Sequence, residues 1–322
     1  MKLNTKMVMV TGAAGFVGEP LCVALGRNEF SVLAVSRRPQ ILPNVFQHKT
    51  IEDMNSMTDW SLMLGEVNVI IHLAARVHVM DELDKNPLAA FQEINLNTTV
   101  NLAQQAAAAG VKRFIYVSSV KVNGEYTEQG QRFSENDIPN PQDPYAISKW
   151  QAELALHEIG KKTDMQIVIV RPPLVYGGRV KANFLKLMRL VDKALPLPLG
   201  NVNNSRSMIY VDNLVDALIA CATHPNASGQ TYLVSDDEHL STQALVRSLS
   251  TVLSKPDRVF PFPVWMLGFL ARLVGKSGAV NRLTQSLVID NSKIKSQLGW
   301  HPPFTLEQGL AETANWFKAT KQ

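Results

Sequence analysis

Residues 10–21 read VTGAAGFVGEPL, and the fold turns on them. Gly12, Gly15 and Gly18 follow MVMVT (Met7 to Thr11), an apolar run rich in β-formers, and open a helical pattern. Glycine permits a tight turn and close backbone approach, so that N–H groups at a helix N-terminus can face a pyrophosphate. Alone, such a triplet describes only a sharp strand-to-helix turn. Its place after the first strand of an alternating chain makes it a dinucleotide site, with Ala14, Phe16 and Val17 in the same loop.

The alternation continues outward from this loop. Short strand patterns at SVLAVS (31–36), VNVIIHLA (67–74), RFIYVSS (113–119) and QIVIVRP (166–172) are separated by helical stretches, the pattern of βαβ units in a buried parallel sheet. Residues 87–110 predict one long helix ending near Gly110, and a second is expected from about Tyr145 to Lys161. After Arg171 the proline-, glycine- and asparagine-rich stretches RPPLVYGG and ALPLPLGNVNNSRS break the rhythm. SMIYVDNLVDALIACA and QTYLVS then read as one more βαβ pair returning to the first sheet. The expectation is an α/β protein: a Rossmann-type doubly wound parallel sheet with a smaller, sequence-interleaved C-terminal domain. Residues 1–172 with about 207–236 form the nucleotide-binding part, and about 173–206 with 237–322 the second.

Composition narrows the partners. The 322 residues carry 32 basic and 28 acidic side chains, a net charge of +4 without basic clusters, which argues against nucleic acid. Cys22 and Cys221 stand alone, without metal-ligand or disulfide spacing, and with no secretory pattern at the N-terminus the expectation is cytoplasmic, with no metal. VFPFPVWMLGFLA (259–271) is interrupted by Pro261 and Pro263 and is too short for a membrane span, so it reads as a packed helix. A helix lying on a membrane surface is the minor alternative.

Two further stretches carry chemistry. At the end of the second strand, where NAD enzymes place an acid for the adenosine ribose, the chain reads VSRRPQ: Ser36 replaces the acid, and Arg37 and Arg38 suit a 2′-phosphate. NADP(H) is favoured, with NAD(H) as the alternative. In PYAISKW (144–150), Tyr145 and Lys149 share one helix face, and an ammonium beside a phenol is expected to lower the phenol's pKa for acid–base work. Ser118 and Ser119 end the fourth strand at the ligand-binding edge of the sheet, and Asn95 is a candidate for holding a lysine-linked water.

With TGAAGFVG, HLAARVHV, INLNTT, VSSVKVNGE, DPYAISKWQAE, RPPLVYGG, RSMIYVDNLVDAL and LGW in this order, the chain resembles the extended short-chain dehydrogenase/reductases. Within them it is similar to the UDP-glucose 4-epimerase-like subgroup, which includes UDP-sugar 4-ketoreductases. The resemblance implies Tyr145 as acid–base, Lys149 on the nicotinamide ribose and Ser119 polarising the sugar C4 oxygen. It implies Asp53 near the adenine, Leu73, Ala74, Ala75 and Pro172 along the cofactor, and His72 as a satisfied core histidine. It implies Asn183, Arg206 and Arg282 on the uridine and diphosphate of a UDP-sugar, and a homodimer through the helices holding Asn95 and Tyr145. Lys121 and Leu174 depart from the family pattern, Lys121 by adding a charge near the substrate. With Ser36, they count against simple UDP-galactose epimerisation, and the Arg37–Arg38 pair, by favouring NADPH, favours reduction of a UDP-(2-acetamido-6-deoxy)hexulose at its 4-keto group. UDP-hexose 4-epimerisation with tightly held NAD is the alternative, and a non-catalytic NADP-binding scaffold the remote one.

Overall fold

The computed structural model describes residues 7–39, 43, 45–77, 86–273, 275 and 277–321; His78 and Val79 of the HLAARVHV motif lie outside them. Seven parallel strands form the main sheet: β1 (Met7–Thr11), β2 (Ser31–Ser36), β3 (Gln47–Thr50), β4 (Val69–His72), β5 (Arg113–Val117), β6 (Gln166–Arg171) and β9 (Thr231–Leu233). Their order is β3-β2-β1-β4-β5-β6-β9, so strand order reverses between β1 and β4, and a crevice opens at that point along the carboxyl edge. The inner strands are buried on both faces because helices cover each side, which is why they read as unbroken apolar runs.

A second, three-stranded sheet has the order β10-β8-β7, from β7 (Leu174–Tyr176), β8 (Arg206–Tyr210) and β10 (His239–Leu240). This corrects one expectation. SMIYV does not return to the main sheet: β8 pairs in parallel with β7, and only the helix Val211–Thr223 and β9 go back. The pattern of β8 is apolar enough for either sheet, and Asp236 binds beside it in the smaller one. Its buried carboxylate accepts from the Tyr176 hydroxyl at 2.8 Å, from Asn213 Nδ2 at 2.7 Å and from the Tyr210 N–H at 3.1 Å. A carboxylate there satisfies the start of the helix Val211–Thr223 and ties both sheets together. At the far end of the same helix, Arg113 Nη1 donates to the carbonyls of Cys221, Ala222 and His224.

The helix expected over 87–110 is interrupted. Pro87–Gln92 and Thr98–Ala108 are α-helical, and Glu93–Asn97 between them is a π-helical turn. Such one-turn bulges commonly mark functional sites, and this one carries Asn95. The helix Pro144–Lys162 forms as expected, with Asp143 as N-cap accepting from Ala146 N at 2.7 Å and proline at its first position.

The helix Val264–Leu273 is a second correction. It is apolar around its whole circumference, which predicts burial. Ala271 is buried and Leu267 packs on the core of the smaller unit, yet Trp265, Phe269 and Leu273 are 74%, 58% and 69% exposed. No described helix is long and apolar enough to cross a membrane.

Candidate active site

The glycine loop folds onto its own carbonyls. A Cβ on Gly18 would lie 2.2 Å from the Gly12 oxygen, and one on Gly12, whose φ is +70°, would lie 2.9 Å from the Ala74 nitrogen. The loop is therefore pressed against Leu73–Ala75 at the end of β4. The helix Gly18–Arg27 that follows has no side-chain cap, so its N-terminus meets the crevice with backbone donors only. These features fit a pyrophosphate.

The strand ends are wired together behind this loop. Thr11 Oγ1 accepts from Ala74 N at 3.3 Å and pairs with His72 Nδ1 at 2.7 Å; His72 Nε2 pairs with Thr99 Oγ1 at 3.1 Å, and Thr99 donates to the Asn95 carbonyl at 2.9 Å. Because the Thr99 proton is committed, the network assigns the histidine proton to Nε2. Burial and the nearby Lys149 charge push the His72 pKa down to about 3, leaving a neutral core histidine as expected. Asn95 is buried and its amide is engaged: Oδ1 accepts from Arg76 N at 2.8 Å, and Nδ2 donates to Arg76 O and to Ser148 Oγ, each at 3.0 Å. The side chain thereby joins the end of β4 to the helix Pro144–Lys162.

Tyr145, Ser119 and Lys149 come together at the ends of β5 and the helix Pro144–Lys162. Ser119 lies beside the Tyr145 phenol and works against the rise in its pKa, and the Tyr145 ring meets Phe91 edge-on at 6.1 Å. Lys149 Nζ donates to the Val117 carbonyl at 2.9 Å and lies 4.5 Å from the Tyr116 ring centre and 6.0 Å from that of Tyr145. Here the expected pKa direction is reversed. Burial, with the Asp143 charge, raises Tyr145 to about 12, and burial lowers Lys149 to about 7. Spacing on a helix places the two residues on one face but is silent on desolvation, which here outweighs their mutual effect. Ser118 is buried, and its hydroxyl has no hydrogen-bond partner among the described residues.

Under the helix runs a buried ion pair that the sequence reading did not select. Arg171 Nε and Nη2 meet Glu153 Oε1 and Oε2 at 3.0 and 2.5 Å, and Nη1 donates to Asn123 Oδ1 at 3.0 Å. Glu153 lies four residues after Lys149, and its charge partly offsets the fall in the lysine pKa. The i, i+4 spacing of Lys149 and Glu153 was its only sequence signal.

A cavity of about 600 Å³ adjoins this corner, lined among others by Lys121, Glu125, Asp143, Asn281 and Arg282. Lys121 does not add a free charge, because its Nζ bridges Asp143 at 2.6 Å and Glu125 at 2.8 Å. The Arg282 Nε is buried without a hydrogen-bond partner among the described residues, and Arg206, which is not part of the lining, donates from Nη1 to the Arg282 carbonyl at 2.9 Å behind it. Asn183 is exposed near the start of the helix Ala182–Asp192 and is not part of the lining, and Leu174 is exposed. At the adenosine end, Ser36 is buried and its hydroxyl is engaged with the Arg38 carbonyl at 2.5 Å and His48 Nε2 at 2.9 Å. Arg37 and Arg38 are exposed, as is Asp53, which accepts from Asn55. Pro172 accepts from the Val120 N–H at 3.0 Å and so fixes the turn after Ser119.

A Rossmann sheet with a glycine-turn crevice and a Ser–Tyr–Lys corner defines a nicotinamide-dependent enzyme of the extended short-chain dehydrogenase/reductase type. The chain belongs to the NAD dependent epimerase/dehydratase family, whose model matches residues 8–235. It is 43% identical over 313 residues to a UDP-glucose 4-epimerase of Vibrio cholerae, covering 97% of this chain and 95% of that one. It is 28% identical to the N-acetyl-alpha-D-glucosaminyl-diphospho-ditrans,octacis-undecaprenol 4-epimerase of Escherichia coli O157:H7, covering 96% and 94%. Among solved structures, UDP-glucuronic acid 4-epimerase from Bacillus cereus, in complex with UDP-glucuronic acid and NAD, superposes with a TM-score of 0.80. The identity is 25%, over 98% of this chain and 99% of that one.

Proposed function

We propose that this protein is a 4-epimerase of a UDP-linked hexose that keeps its NAD. The observation that carries the reading is the Ser119–Tyr145–Lys149 corner, whose neighbours Lys121 and Asp143 line a cavity that also takes in Arg282, in a chain 43% identical to a UDP-glucose 4-epimerase. This reverses the preference for reduction drawn from VSRRPQ. The family match and the NAD in the Bacillus cereus complex favour NAD over NADP(H).

A bound nicotinamide would supply the chemistry of this reaction, reversible hydride exchange at the sugar C4. Tyr145 takes the O4 proton as a phenolate, the form that the positive ring of a bound oxidised nicotinamide would favour against the burial that raises its pKa, and later gives the proton back, while Ser119 hydrogen-bonds O4 and the Lys149 charge stabilises the oxygen as it loses its proton. The glycine loop holds the pyrophosphate of the cofactor, and Lys149 its ribose. Arg206 and Arg282 hold the diphosphate of the substrate, the group shared by the sugars that the two curated relatives act on. With Lys121 neutralised by two carboxylates, the sugar end of the cavity carries net negative charge and suits an uncharged hexose. Residues 7–172 with 211–236 form the cofactor unit in this scheme, 173–210 with 237–321 hold the sugar nucleotide, and two copies pair through the helices around Asn95 and Tyr145.

Two observations favour 4-keto reduction as a second reading. Arg37 and Arg38 stand exposed after β2, and Tyr145 is held protonated, the form in which a reductase starts. The test is to incubate the purified protein with UDP-hexoses without added cofactor and separate the C4 epimers. Interconversion supports epimerisation. No interconversion, with NADPH consumed on a 4-keto UDP-sugar, supports reduction.

A further inference from the structure

The geometry points to the helix Val264–Leu273 as a docking element for an anionic lipid surface. Trp265, Phe269 and Leu273 are spaced four apart and form one exposed apolar stripe on a helix of ten residues, with Val264 and Leu270 exposed beside it. At roughly 15 Å such a helix is too short to span a bilayer, but it can lie in the headgroup region with one face buried. Trp and Phe beside leucines are the side chains that settle at that depth.

The charge around the stripe selects the occupant. Residues 258–289 contain Arg258, Arg272, Lys276 and Arg282 and no aspartate or glutamate. Arg258 and Arg272 are exposed, Arg272 within the helix itself between Phe269 and Leu273. A second copy packed two-fold on this face would bring the same basic residues together, with no acid in the stretch to pair them. An anionic bilayer supplies both the apolar depth and the negative surface potential.

The position adds a consequence. The next helix, Ser277–Thr284, carries Asn281 and Arg282 into the cavity lining, so the docking face adjoins the diphosphate end of the candidate site. Docking would hold that end of the cavity close to the membrane.

The test is sedimentation of the full-length protein with phosphatidylcholine vesicles, alone or with 30 mol% phosphatidylglycerol (on the order of a third anionic lipid, chosen for its surface potential). Co-sedimentation at least roughly tenfold stronger with the anionic vesicles, weakened by salt, is expected. The triple variant Trp265→Ser/Phe269→Ser/Leu273→Ser should lose it while keeping melting temperature and turnover, and Arg258→Gln/Arg272→Gln should lose the preference for anionic lipid. Absence of wild-type binding to either vesicle, or unchanged binding by the triple variant, would overturn the inference. So would a lipid-free dimer that the triple variant converts to monomer, which would assign the face to a second copy.

Discussion

The corner around Tyr145 and the helices of 264–284 are built on opposite terms. In the first, most polar groups have partners, the buried Ser118 hydroxyl excepted: Thr11, His72, Thr99 and Asn95 form one chain of hydrogen bonds, and Glu153 and Arg171 form a bidentate buried pair. In the second, an apolar helix keeps a stripe in solvent, and the Arg282 Nε is buried without an acceptor among the described residues. The difference separates two tasks. Proton transfer needs groups fixed to within a fraction of an ångström, which a saturated network supplies. A face that meets other molecules leaves its contacts unmade until they arrive.

Removing a reacting group should show the largest effect. Tyr145→Phe should lower turnover by about 10²–10⁴-fold at unchanged cofactor binding, because the ring still fills its place against Phe91 while the proton carrier is lost. Steady-state kinetics with nucleotide titration checks this, and a mild loss would mean that another group moves the proton. Next in size, Glu153→Ala should cost about 3–5 kcal/mol of stability in denaturant unfolding, since Arg171 would be left charged and buried. The matching change in the open region should act on binding alone. Arg282→Ala should raise KM for the nucleotide sugar about tenfold or more with kcat little changed and little loss of stability, because its Nε has no partner among the described residues to lose.

The corner around Lys149 should also show a pH dependence of stability. A lysine lowered to about 7 in the folded protein binds fewer protons than in the unfolded chain from there up to about 10.5. Stability therefore rises with pH across that window, and the penalty of burying the charge is greatest below it. Relative to Lys149→Met, which lacks the titrating group, the wild type should gain about 2 kcal/mol between pH 7 and 9 in unfolding experiments. Tyr145, raised to about 12, acts with the opposite sign only above pH 10, outside that range.

The sequence made the local parts legible. The glycine turn, the strands from Met7 to Arg171 other than β3, whose QHKT carries no apolar pattern, and the helix of Tyr145 follow from spacing and periodicity, which single segments carry. What it left unread depends on distant partners. The π-helical turn at Glu93–Asn97 belongs to a stretch that reads as one helix and shows itself only in the structure, where Asn95 bridges Arg76 and Ser148. Lys121 looked like an added charge because Asp143, 22 residues on, is brought to it only by the fold. β8 joined the other sheet, where Asp236 binds beside it, and Tyr145 was expected to fall in pKa because burial cannot be read from an i, i+4 pair. Asn183 followed the family pattern but is exposed near the start of its helix, outside the cavity lining.

The central claim is that hydride stays within the protein. Denaturing the purified protein and identifying the nucleotide it releases tests this directly. The account predicts NAD in about one equivalent per chain, since an enzyme that returns its hydride has no reason to exchange the cofactor at each turnover. Protein that releases no nucleotide, and that binds NADPH reversibly at Arg37 and Arg38, would contradict it and make the Tyr145 corner that of a reductase.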